Sequence, residues 1–341
     1  MSRRQLAQLL DSSGTLDAIL RARAWSRSPW LTVLTYHRIH DAPNDQPFDR
    51  GVIDATSREF DEQIRILRQH FHIVGMEELL RYLDGGPLPA NPAIITFDDG
   101  YRDCYDRALP ILLKHGVKAV FFVATNYVTW RRVFWWDRIS YLVYQCNEDV
   151  LELDYPLPLS LDLSAGKEEV IAKLLKVVKQ YYDLDVDRFL EALGRAASVR
   201  WSPELERRLA DELVMTWDQV RALRNAGMEV HSHTRTHRIL QNLPPSELSH
   251  ELDGARRDLE EQLGERINAV SYPVGRPIVR SPAVRRAVQQ AGYRLGFSNG
   301  GGVCWLWGDL DPLDLSRISL QRHLPTSYFR AMLAVPSFAR P

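Results

Sequence analysis

The chain has 341 residues, of which 45% are hydrophobic and 26% charged, a globular composition with length enough for a large core. A formal net charge of -1 gives no electrostatic case for nucleic acid or an anionic membrane surface. Three widely spaced cysteines, Cys104, Cys146 and Cys304, argue against a disulfide framework and against a cysteine zinc site.

Residues 1–30 read as a helical extension, with Leu6, Leu9, Leu10, Leu16 and Ile19 forming an amphipathic pattern over 5–22. Packing on the main domain and contact with a membrane surface are both open to such a helix. Gln5, Gln8, Asp11 and Asp17 interrupt any secretory apolar region, and no run of about 18 apolar residues exists. The expected location is therefore the cytoplasm, with export by an unrecognised route as the alternative.

From residue 31 to 341 the chain reads as one domain. LTVLTY (31–36) is a buried-strand run, followed by a helix over 57–70 that Ser57 can cap. AIITF (93–97) and KAVFFV (118–123) are further strands, separated by a helix that ends near Leu113. Residues 130–215 break the rhythm and read as a helical insertion with helices near 166–182 and 203–214. Its aromatic cluster, Trp130, Phe134, Trp135 and Trp136, serves either to pack the insertion or to cover a sugar groove. The alternation then resumes. Thr216 and Gln219 form a capping-box pair, MEVHS (228–232) is a strand, and a long helix opens at Ser246. INAVSY (267–272), YRLGFS (293–298) and LSRISL (315–320) are the last strands. About seven strands alternating with helices imply an α/β fold with a parallel sheet. The missing dinucleotide fingerprint favours a barrel over an open nucleotide-binding sheet.

Three groups of chemistry-bearing residues follow strands, where parallel α/β folds carry their sites. Asp98-Asp99 in TFDDG pairs two carboxylates whose repulsion a metal relieves, one as ligand and the other as base; a solvated turn is the plain alternative. His231, His233 and His237 lie within seven residues, and two histidines plus a carboxylate leave open positions on a catalytic cation. Imidazole suits zinc, cobalt, nickel or iron. Ser271-Tyr272-Pro273-Val274-Gly275 makes a rigid turn able to aim a backbone N–H into a site.

TFDDG, H-x-x-x-H and the Pro-x-Gly turn, in this order, resemble the polysaccharide deacetylase family (NodB-like, carbohydrate esterase family 4). TYHRI at 35–39, FFVAT at 121–125 and AGYRLGFS at 291–298 agree, and the resemblance covers roughly 31–330. It implies a distorted (β/α) barrel and metal-dependent removal of N-acetyl groups from an N-acetylated glycan. It further implies a divalent metal, zinc foremost, on Asp99, His233 and His237, with Asp98 as base. Tyr272 and the Val274 N–H would serve the substrate and its oxyanion. Two departures stand out. Ser271 occupies the place of the family's orienting arginine, for which Arg317 is the candidate replacement. The usual late histidine motif is missing; His37 on the first strand matches a permuted subgroup and is the expected acid, with His323 as alternative. Arg38 stands where an acidic neighbour is usual, and His231 is assigned a supporting role. Rival readings are O-deacetylation or another amide hydrolysis on the same fold, and a non-catalytic carbohydrate-binding module.

Overall fold

Side chains alternate across a strand with period two, so a strand covered on both faces must be apolar throughout. The computed structural model describes residues 1–25, 30–42, 46–306 and 310–339. Its barrel strands are β1 (Trp30–Tyr36), β2 (Pro92–Phe97), β3 (Val120–Val123), β4 (Glu229–Ser232), β5 (Ala269–Ser271), β6 (Leu295–Ser298), β7 (Leu315–Ser316) and β8 (Ile318–Ser319). They pair in parallel in the order β1-β2-β3-β4-β5-β6-β7, and β8 returns to β1. The barrel expected from the sequence is therefore present and nearly closed, its last gap spanned by the chain itself between Ser316 and Ile318.

The strand expected at 315–320 is divided. Leu315 and Ser316 pair with Phe297 and Ser298, while Ile318 and Ser319 pair with Leu34 and Thr35. Arg317 stands at the division, fully buried. One short run thus serves both edges of the seam.

Leu31, Val33, Ile94, Val120, Phe122, Ala269, Leu295, Phe297 and Leu315 form a buried cluster inside the ring. Their neighbours, among them Leu34, Tyr36, Ile95, Phe97, Phe121, Val123 and Val270, join a second cluster under the surrounding helices. The helix Met76–Leu83 plugs the amino end of the barrel, and the Met76 N–H donates to Glu229 Oε2 at 2.8 Å. The same alternation continues at the carboxyl end. Asp98 follows Ile94 and Thr96, His233 follows His231, Ser271 follows Ala269, and Arg317 follows Leu315. Four polar side chains are thereby turned inward above the apolar layer.

Gly296 illustrates how closely the outer layer approaches the wall. A Cβ there would lie 2.0 Å from Tyr272 Oη and 2.5 Å from the Leu313 carbonyl oxygen. Gly296→Ala is expected to destabilise the protein by about 1–3 kcal/mol through overpacking. A lower denaturant midpoint at unchanged m-value checks this.

Several local expectations are corrected. The 57–70 helix is Ser57–His70, but Thr56 caps it: its Oγ accepts from the Glu59 N–H while Glu59 accepts from the Thr56 N–H. Ser57 instead bonds to Asp41. The single N-terminal helix is two, Arg3–Ser12 and Thr15–Trp25, parted at Ser13-Gly14. Ala7, Leu16 and Leu20 are buried, and Arg330 of the last helix, Thr326–Ala334, pairs with Asp11 at 3.0 Å and Asp17 at 2.5 Å. Leu6, Leu10, Leu16 and Ile19 of the apolar face are thus used for packing, whereas Leu9 is exposed. Residues 26–29, where the extension meets the barrel, lie outside the described residues. Among the described residues no helix is long and apolar enough to cross a membrane.

The 130–215 region holds more than two helices. Trp135–Gln145, Lys167–Gln180, Val186–Ala196 and Pro203–Leu213 are helical, and Val150–Leu153 pairs with Leu159–Asp162 as a hairpin. Phe134, Trp135 and Trp136 are buried, whereas Trp130 is exposed.

Candidate active site

Asp98 and Asp99 extend β2 past its last residue, where the Asp98 N–H donates to the Tyr36 carbonyl at 2.9 Å. Asp98 points inward by alternation. Asp99 would point outward, but its φ of 75° turns it back over the barrel. His233 extends β4, with its N–H on the Val123 carbonyl at 2.9 Å. The loop from His233 to His237 is held from outside the barrel. Glu251, buried on the helix Pro245–Leu263, accepts from the Arg235 N–H, the Thr236 N–H and the Thr236 hydroxyl. Thr234 and His237 both take positive φ, 64° and 53°. Such non-glycine conformations cost of order 1–3 kcal/mol each and concentrate at sites whose surroundings over-determine them.

These elements bring Asp99, His233 and His237 together. Asp99 Oδ1 lies 3.3 Å from His233 Nε2 and 3.4 Å from His237 Nε2. All three residues are buried, and their ligand atoms fall within 4.8 Å of one another. His233 Nδ1 lies 2.8 Å from the Ser271 carbonyl, which fixes the Nδ1–H tautomer and leaves Nε2 as a lone-pair donor. Burial beside His233 lowers the His237 pKa to about 3, so that ring stays neutral, as a ligand must. Burial opposes charge on Asp99, yet His233, His237 and His37 together outweigh it and hold its pKa below the ordinary value. Asp99 Oδ1 is buried without a hydrogen-bond partner. A buried, anionic, unsatisfied oxygen between two imidazole nitrogens fits a divalent cation.

Asp98 sits beside the triad and is held from the seam of the barrel. Arg317 grips it with both terminal nitrogens, NH1 to Oδ1 at 2.8 Å and NH2 to Oδ2 at 2.7 Å. The Ser271 hydroxyl lies 3.1 Å from Oδ2. Ser271 and Arg317 thus contact the same carboxylate. Burial alone would raise the Asp98 pKa, but the Arg317 guanidinium, with His233 and His37, holds it well below the usual carboxylate range.

His37 faces the same cavity and has an acidic partner that its sequence neighbours do not reveal. Arg38 pairs with Ile53 and Ile39 with Ala55, so Asp54 is an extra residue in an irregular ladder. That bulge turns Asp54 toward His37: its Oδ2 accepts from the His37 N–H at 2.5 Å and lies 3.1 Å from Nδ1. Burial opposes a charged imidazole here, but Asp54, joined by Asp99 and Asp98, outweighs it and raises the His37 pKa to about 9. His37 is therefore protonated below about pH 9. If it is the acid, Asp54→Asn leaves burial less opposed and moves the basic limb of the kcat profile to lower pH. At pH 8 the expected loss is about tenfold or more, measured as initial rates from pH 6 to 10.

The cavity, about 170 Å³, is lined by His37, Asp49, Val52, Asp98, Asp99, Trp135, Trp136, Lys179, His233, His237, Val274, Gly275 and Asn299. Trp136 lies 4.4 Å ring to ring from His237 and donates to Tyr101 Oη at 2.5 Å, while Tyr101 donates to Asp137 at 2.6 Å. The tryptophans thus pack the insertion and line the cavity at once. Val274 holds φ 53° and ψ 14°, a strained setting for a β-branched residue in the turn that faces the cavity.

Two sequence expectations are corrected by placement. Tyr272 follows inward Ser271 and so points outward, where its hydroxyl donates to the Leu313 carbonyl at 2.6 Å, away from the cavity. His323 lies exposed and outside the cavity lining. His231 points into the barrel beneath His233 and against Phe122, also outside the lining. Asp54, Lys179 and Asn299 were not marked by sequence. Asn299 had one available signal, its position immediately after a barrel strand.

Poly-beta-1,6-N-acetyl-D-glucosamine N-deacetylase of Staphylococcus epidermidis is 34% identical over 75 residues, 22% of this chain and 26% of that protein. The match therefore spans about a quarter of that curated relative. The deacetylase PplD of Streptococcus pyogenes, solved in complex with acetate, superposes with a TM-score of 0.57 at 21% identity, covering 92% of this chain and 99% of that one. IcaB from Ammonifex degensii superposes at 0.51 with 18% identity, over 92% and 99% of the two chains. These two likenesses carry the fold. The family model described as polysaccharide deacetylase matches residues 85–147 and 162–296, more than half of the chain and both segments that supply the Asp-His-His cluster, and this chain belongs to that family.

Proposed function

We propose that this protein is a metal-dependent hydrolase that removes N-acetyl groups from amino sugars of a glycan. The observation that carries this reading is one cavity lined by an Asp-His-His cluster, a depressed carboxylate and a raised imidazole. Groups with opposed pKa shifts facing one cleft are what acid and base roles at neutral pH require. A divalent cation held by Asp99, His233 and His237, zinc foremost, with cobalt, nickel or iron as alternatives, supplies Lewis acidity toward water and the acyl carbonyl.

In this reading Asp98, ionised at neutral pH, takes a proton from the water whose oxygen bonds to the acetyl carbonyl carbon. The carbonyl electron pair moves onto its oxygen, to which the Val274 N–H donates. As the C–N bond breaks, its electrons pass to nitrogen, which takes the proton from His37 Nε2, the ring nitrogen not facing Asp54. Acetate and a free amine are the products. Arg317 keeps Asp98 ionised and fixes its orientation. The S. epidermidis likeness supports β-1,6-linked N-acetylglucosamine as the first substrate to test. Acetate release from N-acetylglucosamine oligomers, with acetylated xylan in parallel, tests the reading. Release from the amide substrates is expected; release from the ester substrate alone would replace the reading by O-deacetylation.

A further inference from the structure

We propose that Asn299 is a second oxyanion donor, its amide N–H reaching the acyl oxygen while its carbonyl holds Arg317 in register with Asp98. This rests on the acyl-transfer reading above. Asn299 immediately follows β6, at the carboxyl end of the barrel, and lines the cavity with Val274 and Gly275. Its backbone N–H donates to the Gly275 carbonyl at 2.7 Å, which ties it to the strained turn. Arg317 Nε donates to Asn299 Oδ1 at 3.0 Å, while the other two guanidinium nitrogens hold Asp98.

The orientation of the amide follows from chemistry. A guanidinium only donates, so the oxygen of Asn299 must face it and the NH2 must face away. Among the described residues no acceptor takes that NH2. It rests instead against the turn. A Cβ on Gly275 would lie 2.6 Å from Asn299 Nδ2 and 2.4 Å from its Cβ, so glycine at 275 lets the amide approach this closely. A fixed donor beside the turn that carries the Val274 N–H meets the requirement for oxyanion stabilisation, a dipole already in place before charge develops. It also links two parts of the machinery: the group that would meet the oxyanion is hydrogen-bonded to the group that orients the base.

The test is steady-state acetate release from N-acetylglucosamine oligomers by the metal-loaded protein and its variants. Asn299→Ala loses donor and acceptor, and kcat is expected to fall about 10²–10³-fold with KM within about threefold. Asn299→Asp keeps an oxygen for Arg317, loses the donor and adds a negative charge beside the oxyanion position, so kcat is expected to stay as low. It also serves where the alanine variant fails to fold, as judged by its melting temperature. Wild-type kcat in either variant, recovery in Asn299→Asp, or a loss expressed in KM alone would overturn the inference. A wild type inactive on every acylated sugar would overturn the acyl-transfer reading with it, whereas an active wild type with an unaffected Asn299→Asp overturns this inference alone.

Discussion

Asp98→Asn is expected to lower kcat by about 10²–10⁴-fold while the protein remains folded and loaded with metal. The substitution keeps the shape of the side chain and an oxygen for Arg317, which lies 2.8 Å from Oδ1 in the parent. The Asp-His-His cluster is untouched, since Asp99, not Asp98, supplies its carboxylate. What is lost is a group able to accept a proton at neutral pH, which Asp98 is because Arg317, His233 and His37 overcome its burial. Single-turnover acetate release, with metal stoichiometry measured on the same sample, separates loss of the base from loss of the cation. Near-parental turnover with metal bound would remove Asp98 from that role.

Arg317→Met carries the second large effect, and it falls on stability as well as rate. Arg317 is fully buried and its partner 3% exposed. Removing one member of such a pair leaves a buried charge uncompensated and typically costs about 3–5 kcal/mol. The pH dependence has a definite sign. In the parent, the folded pKa of Asp98 is depressed, so its stabilisation is complete above the ordinary carboxylate value and is lost as pH falls through the folded value. Without the guanidinium, burial, the largest influence on this carboxyl, acts to raise the folded pKa. The destabilisation should therefore be smaller at pH 5 than at pH 7.5. Removing Asp98 as well should return part of the loss, because the uncompensated charge goes with it. Denaturant melts of both single variants and the double variant at the two pH values measure this.

Much of the site was legible because its parts are local. Asp98 and Asp99 are adjacent, and His233 and His237 share one loop, so strand position and residue type sufficed to group them. The barrel was legible because its strands are apolar on both faces. What stayed hidden depends on pairings far apart in sequence or on a one-residue change of face. Asp54 reaches His37 through a bulged contact between Arg38–Ile39 and Ile53–Ala55 that no spacing announces. Tyr272 looked like a cavity residue beside Val274, yet it lies one position past inward Ser271, and period two sends it outward to Leu313. Arg317 was recognisable as a candidate, but its grip on Asp98 depends on the division of its strand between β6 and β1. The hairpin Val150–Leu153 with Leu159–Asp162 escaped notice because its strands are half exposed and sit between strong helical patterns.

The role of the metal is tested most directly by acetate release from β-1,6-linked N-acetylglucosamine oligomers before chelation, after chelation, and after readdition of a divalent metal. Metal-dependent deacetylation requires release that chelation abolishes and metal restores, with Asp99→Ala inactive throughout. Release that persists in chelator with no metal detectable on the protein, or tight binding of metal and glycan with no acetate formed, would contradict it.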